Sequence, residues 1–450
     1  MRFMFDFPDR IAIIGAGPVG LGAARALRDH DIPYDQFEAD DDIGGNWYHG
    51  VYSTTHTISS RRVTQYPEFP MPASYPDYPS RAQVIAYLRE YARVFRLREK
   101  IVFNAKVVMA RPLAARSWEI TLASGETRTY KGLIVANGHD WSRKFPQYPG
   151  KFTGEFIHSK DYKRPEQLAG RRVLVIGSGN SACDIACEAA RVGASSDVSM
   201  RSGYWFEPKV LFGRPFHEAF PLSTPVWLHR ILLKTALRLT VGDYRHYGLQ
   251  RPTHKLFDRV ATINTELLDY LRHGRVTPRP AVASFDGDRV AFADGKVASF
   301  DMIVCATGFH LDFPFLPKGM VPVNNGVAPL YGGVLPLEYR HLYIAAATHP
   351  IYGFGPIISA GADLVALMIR LQDRIELPLG RVLKACGMRP VKTHLLHPGV
   401  ALREMRWARR VLPILVPMVE PMLRRKAPTQ PAVSVPDSQS AALNREMTVY

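Results

Sequence analysis

Residues 10–38, RIAIIGAGPVGLGAARALRDHDIPYDQFE, decide the fold. Residues 10–14 are a short β-branched run that enters GAGPVG, and the residues that follow open with helix formers. Strand, glycine turn and helix in that order set a helix N-terminus in front of an anion. Gly15 permits the tight turn, Gly17 lets a backbone approach a pyrophosphate, and Gly20 lets the helix pack on the strand, with Ala16, Pro18 and Val19 completing the turn. Glu38 ends the second strand, where an acid accepts hydrogen bonds from an adenosine ribose.

A second unit begins about 160 residues later. VLVIG (173–177) enters GSGNSACDIACEAARVG, so Gly177, Ser178, Gly179, Asn180 and Ser181 form a second turn, with Ala182 at the third glycine position. Its next strand, DVSM, carries Ser199 and ends at Arg201 and Ser202 rather than at an acid. A guanidinium there pairs with a 2′-phosphate that a carboxylate would repel, which predicts NADPH rather than NADH. Two dinucleotide folds in one chain predict an α/β protein in which FAD takes hydride from a nicotinamide held by the second domain. Trp47, in GGNW, stands where disulfide reductases of this architecture place a redox cysteine, so a thiol relay is disfavoured. A non-catalytic FAD- and NADP-binding sensor is the competing class, and it needs only one such site.

Composition narrows the rest. Of 450 residues, 46% are hydrophobic and 22% charged, which excludes a disordered or fibrous chain. Four cysteines without Cys-x-x-Cys spacing argue for no metal and for a reducing, cytoplasmic setting. Residues 11–24 hold too many glycines for an export signal, and no run of 18 apolar residues occurs. The net charge of +16 is concentrated: residues 201–260 carry ten basic and four acidic side chains, and residues 401–426 seven and two. Charge of this kind attracts phosphates, lipid headgroups or nucleic acid, but no nucleic-acid module accompanies it, so nucleic acid is not an expected partner.

Strand-like runs at 101–110, 117–123, 132–138, 289–294 and 301–309 alternate with helical patterns, which implies parallel sheets. The divisions expected are a first domain over 1–165, a second over 166–300 with an insertion at about 204–263, a return to the first over 301–400, a basic apolar segment at 401–426 and a disordered tail at 427–450. Within the insertion, Arg230, Lys234 and Arg238 lie beside Trp227, Ile231, Leu233 and Leu237, the pattern of an amphipathic helix. In 406–426 the prolines 413, 417 and 421 argue against a regular helix, leaving an interfacial segment at an anionic membrane or an arm of a homodimer.

The chain resembles the flavin-containing monooxygenases, class B flavoprotein monooxygenases. Phe152-x-Gly154-x-x-x-His158-x-x-x-Tyr162 is similar to the family's linker fingerprint, and GGNW (44–47), YPEFPMP (66–72), GNSACDIA (179–186), RSGYW (201–205) and CATGFHLDFPF (305–315) extend the likeness over residues 8–375. Baeyer–Villiger relatives usually carry Trp at the position of Tyr162. The resemblance implies FAD on the first turn, Glu38, Asn46, Trp47 and Ser59, and NADPH on the second turn with Ser199, Arg201 and Ser202. It implies a discontinuous FAD domain, re-entered through residues 305–308, and a reaction in which a C4a-(hydro)peroxyflavin oxygenates a small lipophilic substrate at nitrogen or sulfur, or beside a ketone, with O2. His158 is expected to bind a linker backbone rather than to catalyse. One departure stands out: Ile58 occupies the place of the family's active-site asparagine, with His56, Thr57 and Ser59 as neighbours that could replace the lost amide. An enzyme in which that loss leaves NADPH oxidase activity uncoupled from oxygenation is the alternative.

Overall fold

The computed structural model describes residues 4–113, 116–219, 224–345 and 347–426; the tail at 427–450 lies outside them. The first sheet is built from β1 (Met4–Ile14), β2 (Tyr34–Phe37), β3 (Ile101–Val102), β4 (Val107–Pro112), β5 (Trp118–Leu122) and β6 (Thr127–Val135), in the order β3-β2-β1-β6-β5-β4. β1 pairs in parallel with β2 and β6, and residues 11–14 are buried, as a central strand covered on both faces requires. Helix α1 (Pro18–Asp29) follows the glycine turn. The run at 101–110 divides into β3 and β4 because Asn104 takes a positive φ of 52° between them.

The second sheet is five-stranded and parallel. It holds β7 (Glu155–His158), β8 (Arg172–Ile176), β9 (Ser195–Ser199), β10 (Thr277–Arg279) and β11 (Met302–Cys305), in the order β10-β9-β8-β11-β7, with α2 (Asn180–Val192) after β8. Both β7 and β11 therefore belong to the second sheet, although divisions at 165 and 300 would give them to the first. The continuous apolar run of β11, Met302 to Cys305, is fully buried because it lies between β7 and β8. The chain rejoins the first sheet later, where β12 (Leu342–Ile344) pairs with the end of β6, so the first sheet is built from discontinuous stretches of chain.

The insertion contains α3 (Val226–Thr240), the expected helix, but its apolar residues divide: Leu233 and Leu237 are buried while Trp227 and Ile231 face outward beside Lys234 and Arg238. Helix α4 (Gly355–Asp373) is long and apolar enough to cross a membrane, yet 61% of that window is buried in the protein, where it packs on α1. The segment at 406–426 corrects the expectation drawn from its prolines. It belongs to a 29-residue helix, α5 (Pro398–Lys426), packed on α4. The four-residue spacing puts Pro413, Pro417 and Pro421 on one exposed face, away from the packed one, while Ala408, Leu412 and Val416 form the buried face.

Candidate functional site

At the first turn Gly15 takes φ +106°, and a Cβ there would lie 2.5 Å from the Ala136 carbonyl oxygen. A Cβ on Gly20 would meet the Gly15 oxygen at 2.0 Å, whereas one on Gly17 would touch only Gly45 Cα at 3.6 Å. Gly17 thus keeps open space that the protein does not fill. Gly17 caps α1, with Pro18 in its first turn, and the helix N–H groups face that space. Glu38 is buried; its Oε2 accepts from the Ala16 N–H at 2.6 Å and its Oε1 from the Asp40 N–H at 3.1 Å. Burial raises its pKa against the pull of those bonds.

At the second turn Gly177 takes φ +148°, and a Cβ there would lie 2.3 Å from the Ala306 oxygen. Gly179 caps α2 with nothing within 4 Å of its added Cβ. The end of the insertion latches this turn: Ile263 N–H donates to Asn180 Oδ1 (2.8 Å), Thr262 Oγ1 donates to the Ser178 carbonyl (2.5 Å), and Asn264 Nδ2 donates to Asp184 Oδ1 (2.8 Å). Ser181 lies beyond it on the cavity wall. Arg201 is exposed at the strand end, with Ser202 half-buried beside it, and Arg201 meets no carboxylate among the described residues. Ser199 is buried and its hydroxyl donates to the Pro280 carbonyl at 2.7 Å, so its side chain is already committed.

The linker fingerprint joins the two units. His158 Nδ1 accepts from the Lys160 N–H (3.1 Å) and its Nε2–H donates to the Gly308 carbonyl (3.0 Å), which defines a neutral imidazole whose pKa burial lowers. Tyr162 donates to Glu188 on α2, to which Thr54 also donates, and Tyr52 donates to Asp184 at 2.7 Å. Lys160, which nothing in the spacing singles out, is buried. Its Nζ donates to Asn46 Oδ1 (2.6 Å) and the Asp140 carbonyl (3.0 Å) and lies 3.5 Å from the Trp141 ring centroid. Burial lowers its pKa to about 8. Asn46 and Trp47 open a five-residue π-helix, Asn46–Gly50, an element that recurs at functional sites.

A cavity of about 1180 Å³ runs from the first turn (Gly15, Gly17, Glu38) past Asn46 and Trp47 to Asn180 and Ser181 of the second. That exceeds the range of roughly 300–1,000 Å³ for a drug-sized site. Its wall includes His56, Thr57, Ile58 and Ser59 from one loop and Tyr352 from another, and α5 contributes Met405 and Leu412. His56 is exposed and its ring nitrogen contacts the Thr54 carbonyl (2.8 Å). Ser59 is committed, since its Oγ accepts from the Gly353 N–H (3.1 Å) and lies 3.1 Å from Thr64 Oγ1. Close by, Glu207 is buried with no counterion among the described residues, and burial pushes its carboxyl up to about 8.

The residues present fit FAD and NADPH. Both glycine turns leave cradles that a side chain would fill, Glu38 faces the cavity, and the cavity wall holds buried polar atoms without partners among the described residues, such as Asn137 Oδ1 and Thr55 Oγ1. Comparison with known proteins agrees. The family described as flavin-binding monooxygenase-like matches residues 8–397. The chain is 33% identical over 314 residues to indole-3-pyruvate monooxygenase YUCCA1 of Oryza sativa subsp. japonica, covering 67% of this chain and 77% of the rice protein. It is 31% identical over 379 residues to flavin-containing monooxygenase 5 of Homo sapiens, covering 77% and 71%. Among solved structures, cyclohexanone-bound cyclohexanone monooxygenase superposes with a TM-score of 0.70 at 17% identity over 90% of this chain and 98% of that one. A flavin-containing monooxygenase from Stenotrophomonas maltophilia gives 0.62 at 23% identity over 82% and 99%.

Proposed function

Since the chain belongs to the flavin-binding monooxygenase-like family and is an FAD- and NADPH-dependent monooxygenase, we propose that it oxygenates a small lipophilic molecule at nitrogen or sulfur, or inserts oxygen beside a ketone. The observation that carries this reading is the single cavity that touches both glycine turns, because it lets a nicotinamide on the second turn reach a flavin on the first. Bound FAD, once reduced by NADPH, supplies the activation of O2. The rest is positioning by this chain. Glu38 and the α1 N-terminus would hold the adenosine ribose and pyrophosphate. Arg201 would pair with the 2′-phosphate. Lys160, through Asn46 and the Asp140 carbonyl, fixes the cavity wall beside Trp141, and Ile357, Ile358 and Met368 keep water from it.

The test uses the purified holoenzyme with NADPH, 18O-labelled O2 and a panel of a tertiary amine, a thioether and a ketone. One 18O atom is expected in the product of at least one substrate, with oxidation of NADPH accelerated by it. NADPH consumption matched by hydrogen peroxide with every compound would favour the second reading, an uncoupled NADPH oxidase. Ile58 supports that reading, since its side chain brings no hydrogen-bonding group to the cavity wall.

We further propose peripheral contact with an anionic membrane. The outer face of α5 exposes Ile414, Met418 and Met422 between Arg403, Arg406 and Arg410 at one end and Arg424 and Arg425 at the other. Sedimentation with anionic phospholipid vesicles is expected to carry the protein down at low salt and release it at high salt. A protein that stays in the supernatant at low salt and runs as a dimer in light scattering would give the same face to a second copy instead.

A further inference from the structure

Around Ile58 the polar side chains divide into those already bonded and those without a partner. Ser59 holds the Gly353 N–H, Ser60 donates to Glu218 Oε1 (2.5 Å), and Thr64 donates to the Ser59 carbonyl (3.2 Å). Among the described residues three hydroxyls on the same cavity are left over, those of Thr55, Thr57 and Tyr352, and the last two belong to almost wholly buried residues. Thr57 is 3% exposed and Tyr352 is 5% exposed, both line the cavity, and among the described residues neither Thr57 Oγ1 nor the Tyr352 hydroxyl has a hydrogen-bond partner. They come from loops almost 300 residues apart that the fold holds against each other. The Gly353 N–H bond to Ser59 Oγ ties the loops, and a Cβ on Gly353 would lie 2.3 Å from the Val63 carbonyl oxygen.

The Tyr352 ring is fixed. His217 stacks on it with centroids 4.4 Å apart and planes 11° from parallel. Burial, reinforced by the nearby Glu207 carboxyl, raises the phenol pKa, so it stays neutral and keeps its proton. A neutral phenol whose ring is held by His217 and an unpartnered threonine on the same cavity wall offer two O–H donors to whatever occupies the cavity. Leaving buried donors unmade is costly, so such a wall favours an occupant with a strong acceptor. A thioether is a weak acceptor and a protonated amine has no lone pair, whereas a carbonyl oxygen has two in one plane.

We infer that Tyr352 and Thr57 form a hydroxyl pair that anchors the carbonyl oxygen of a lipophilic carbonyl substrate beside Ile58. The pair acts by positioning and selection, and it supplies on the cavity wall the hydrogen-bonding capacity that Ile58 does not. The inference rests on the monooxygenase reading for the chemistry that follows binding, but the binding itself is tested separately.

Oxidised holoenzyme is titrated without O2 or NADPH with acetophenone and with α-methylstyrene, in which a methylene replaces the carbonyl oxygen. The flavin absorbance band and the fluorescence of the cavity tryptophans Trp47, Trp141 and Trp407 report binding. The wild type is expected to bind the ketone at least about tenfold more tightly than the alkene. Tyr352→Phe and Thr57→Val are each expected to lose most of that preference by weakening the ketone alone, with unchanged flavin content and unchanged alkene affinity. A wild-type ratio near one overturns the inference, as does a ratio that survives in the double variant. Loss of flavin from the variants also overturns it, by giving the hydroxyls to the cofactor. A preserved ketone preference in a protein that forms no oxygenated product would leave the inference standing and remove the function proposed above.

Discussion

Gly17→Val protein is expected to fold normally and to leave purification nearly colourless, while Gly15→Val is expected to fold poorly. The two glycines stand two residues apart in the same turn, and the structure gives them different reasons to be glycine. At Gly15 the obstacle is the protein itself: φ is +106° and the new Cβ would sit 2.5 Å from the backbone oxygen of Ala136, whose N–H is bonded to the Ile14 carbonyl inside the sheet. Nothing there can move without breaking the ladder. At Gly17 the backbone is extended, φ −74° and ψ −175°, and a Cβ meets only Gly45 at ordinary contact distance. The space a valine would take is therefore the space to which the proposed reading assigns the pyrophosphate. Overpacking at such a close approach costs on the order of 1–3 kcal/mol, roughly a ten- to hundredfold loss of FAD affinity. Flavin absorbance per mole of protein, read beside the far-ultraviolet circular dichroism and the melting temperature, separates the two effects. A yellow Gly17→Val protein would remove the pyrophosphate from this turn.

These glycines mark what the sequence makes legible. A β-branched run, a glycine turn and an acid at the next strand end are local signals, and each lies where the pattern placed it, with Glu38 holding the Ala16 N–H. The amphipathic helix at 226–240 is local in the same sense, whereas the bond from His158 to the Gly308 carbonyl spans 150 residues. What was hidden depends on encounters between distant segments. The three prolines at 413, 417 and 421 oppose a helix less strongly when they face outward, and that outward orientation is decided by how α5 docks on α4, which no local pattern states. The strand Met302–Cys305 carries no mark of which sheet will receive it. Lys160 owes its burial to Asn46, 114 residues earlier, and the hydroxyl of Tyr352 gains meaning only when Gly353 closes on Val63.

The preference for NADPH over NADH is expected to reside in Arg201, and Arg201→Ala is expected to erase most of it. At a strand end after the second glycine turn, a side chain lies beside the adenosine ribose, so its charge decides whether a 2′-phosphate is welcome. Arg201 is exposed and meets no carboxylate among the described residues, in contrast to Arg279 on the neighbouring strand β10, whose Nε is bonded to Asp197 Oδ2 at 2.6 Å. The guanidinium nearest the end of β9 is thus available while the next one is spent inside the sheet, and Ser199 has already given its hydroxyl to Pro280. Charge-assisted pairing with a phosphate makes the expected loss in apparent NADPH affinity roughly ten- to hundredfold, with NADH nearly unaffected. Because the pair forms in water, the difference should shrink as salt rises, which a side chain acting only on packing would not reproduce. Steady-state kinetics with both nucleotides, at low and high ionic strength, check the effect. An unchanged NADPH-to-NADH ratio in Arg201→Ala would move the 2′-phosphate away from this strand end, and Arg201→Lys, which keeps the charge but not the two-pronged geometry, should fall between the wild type and alanine.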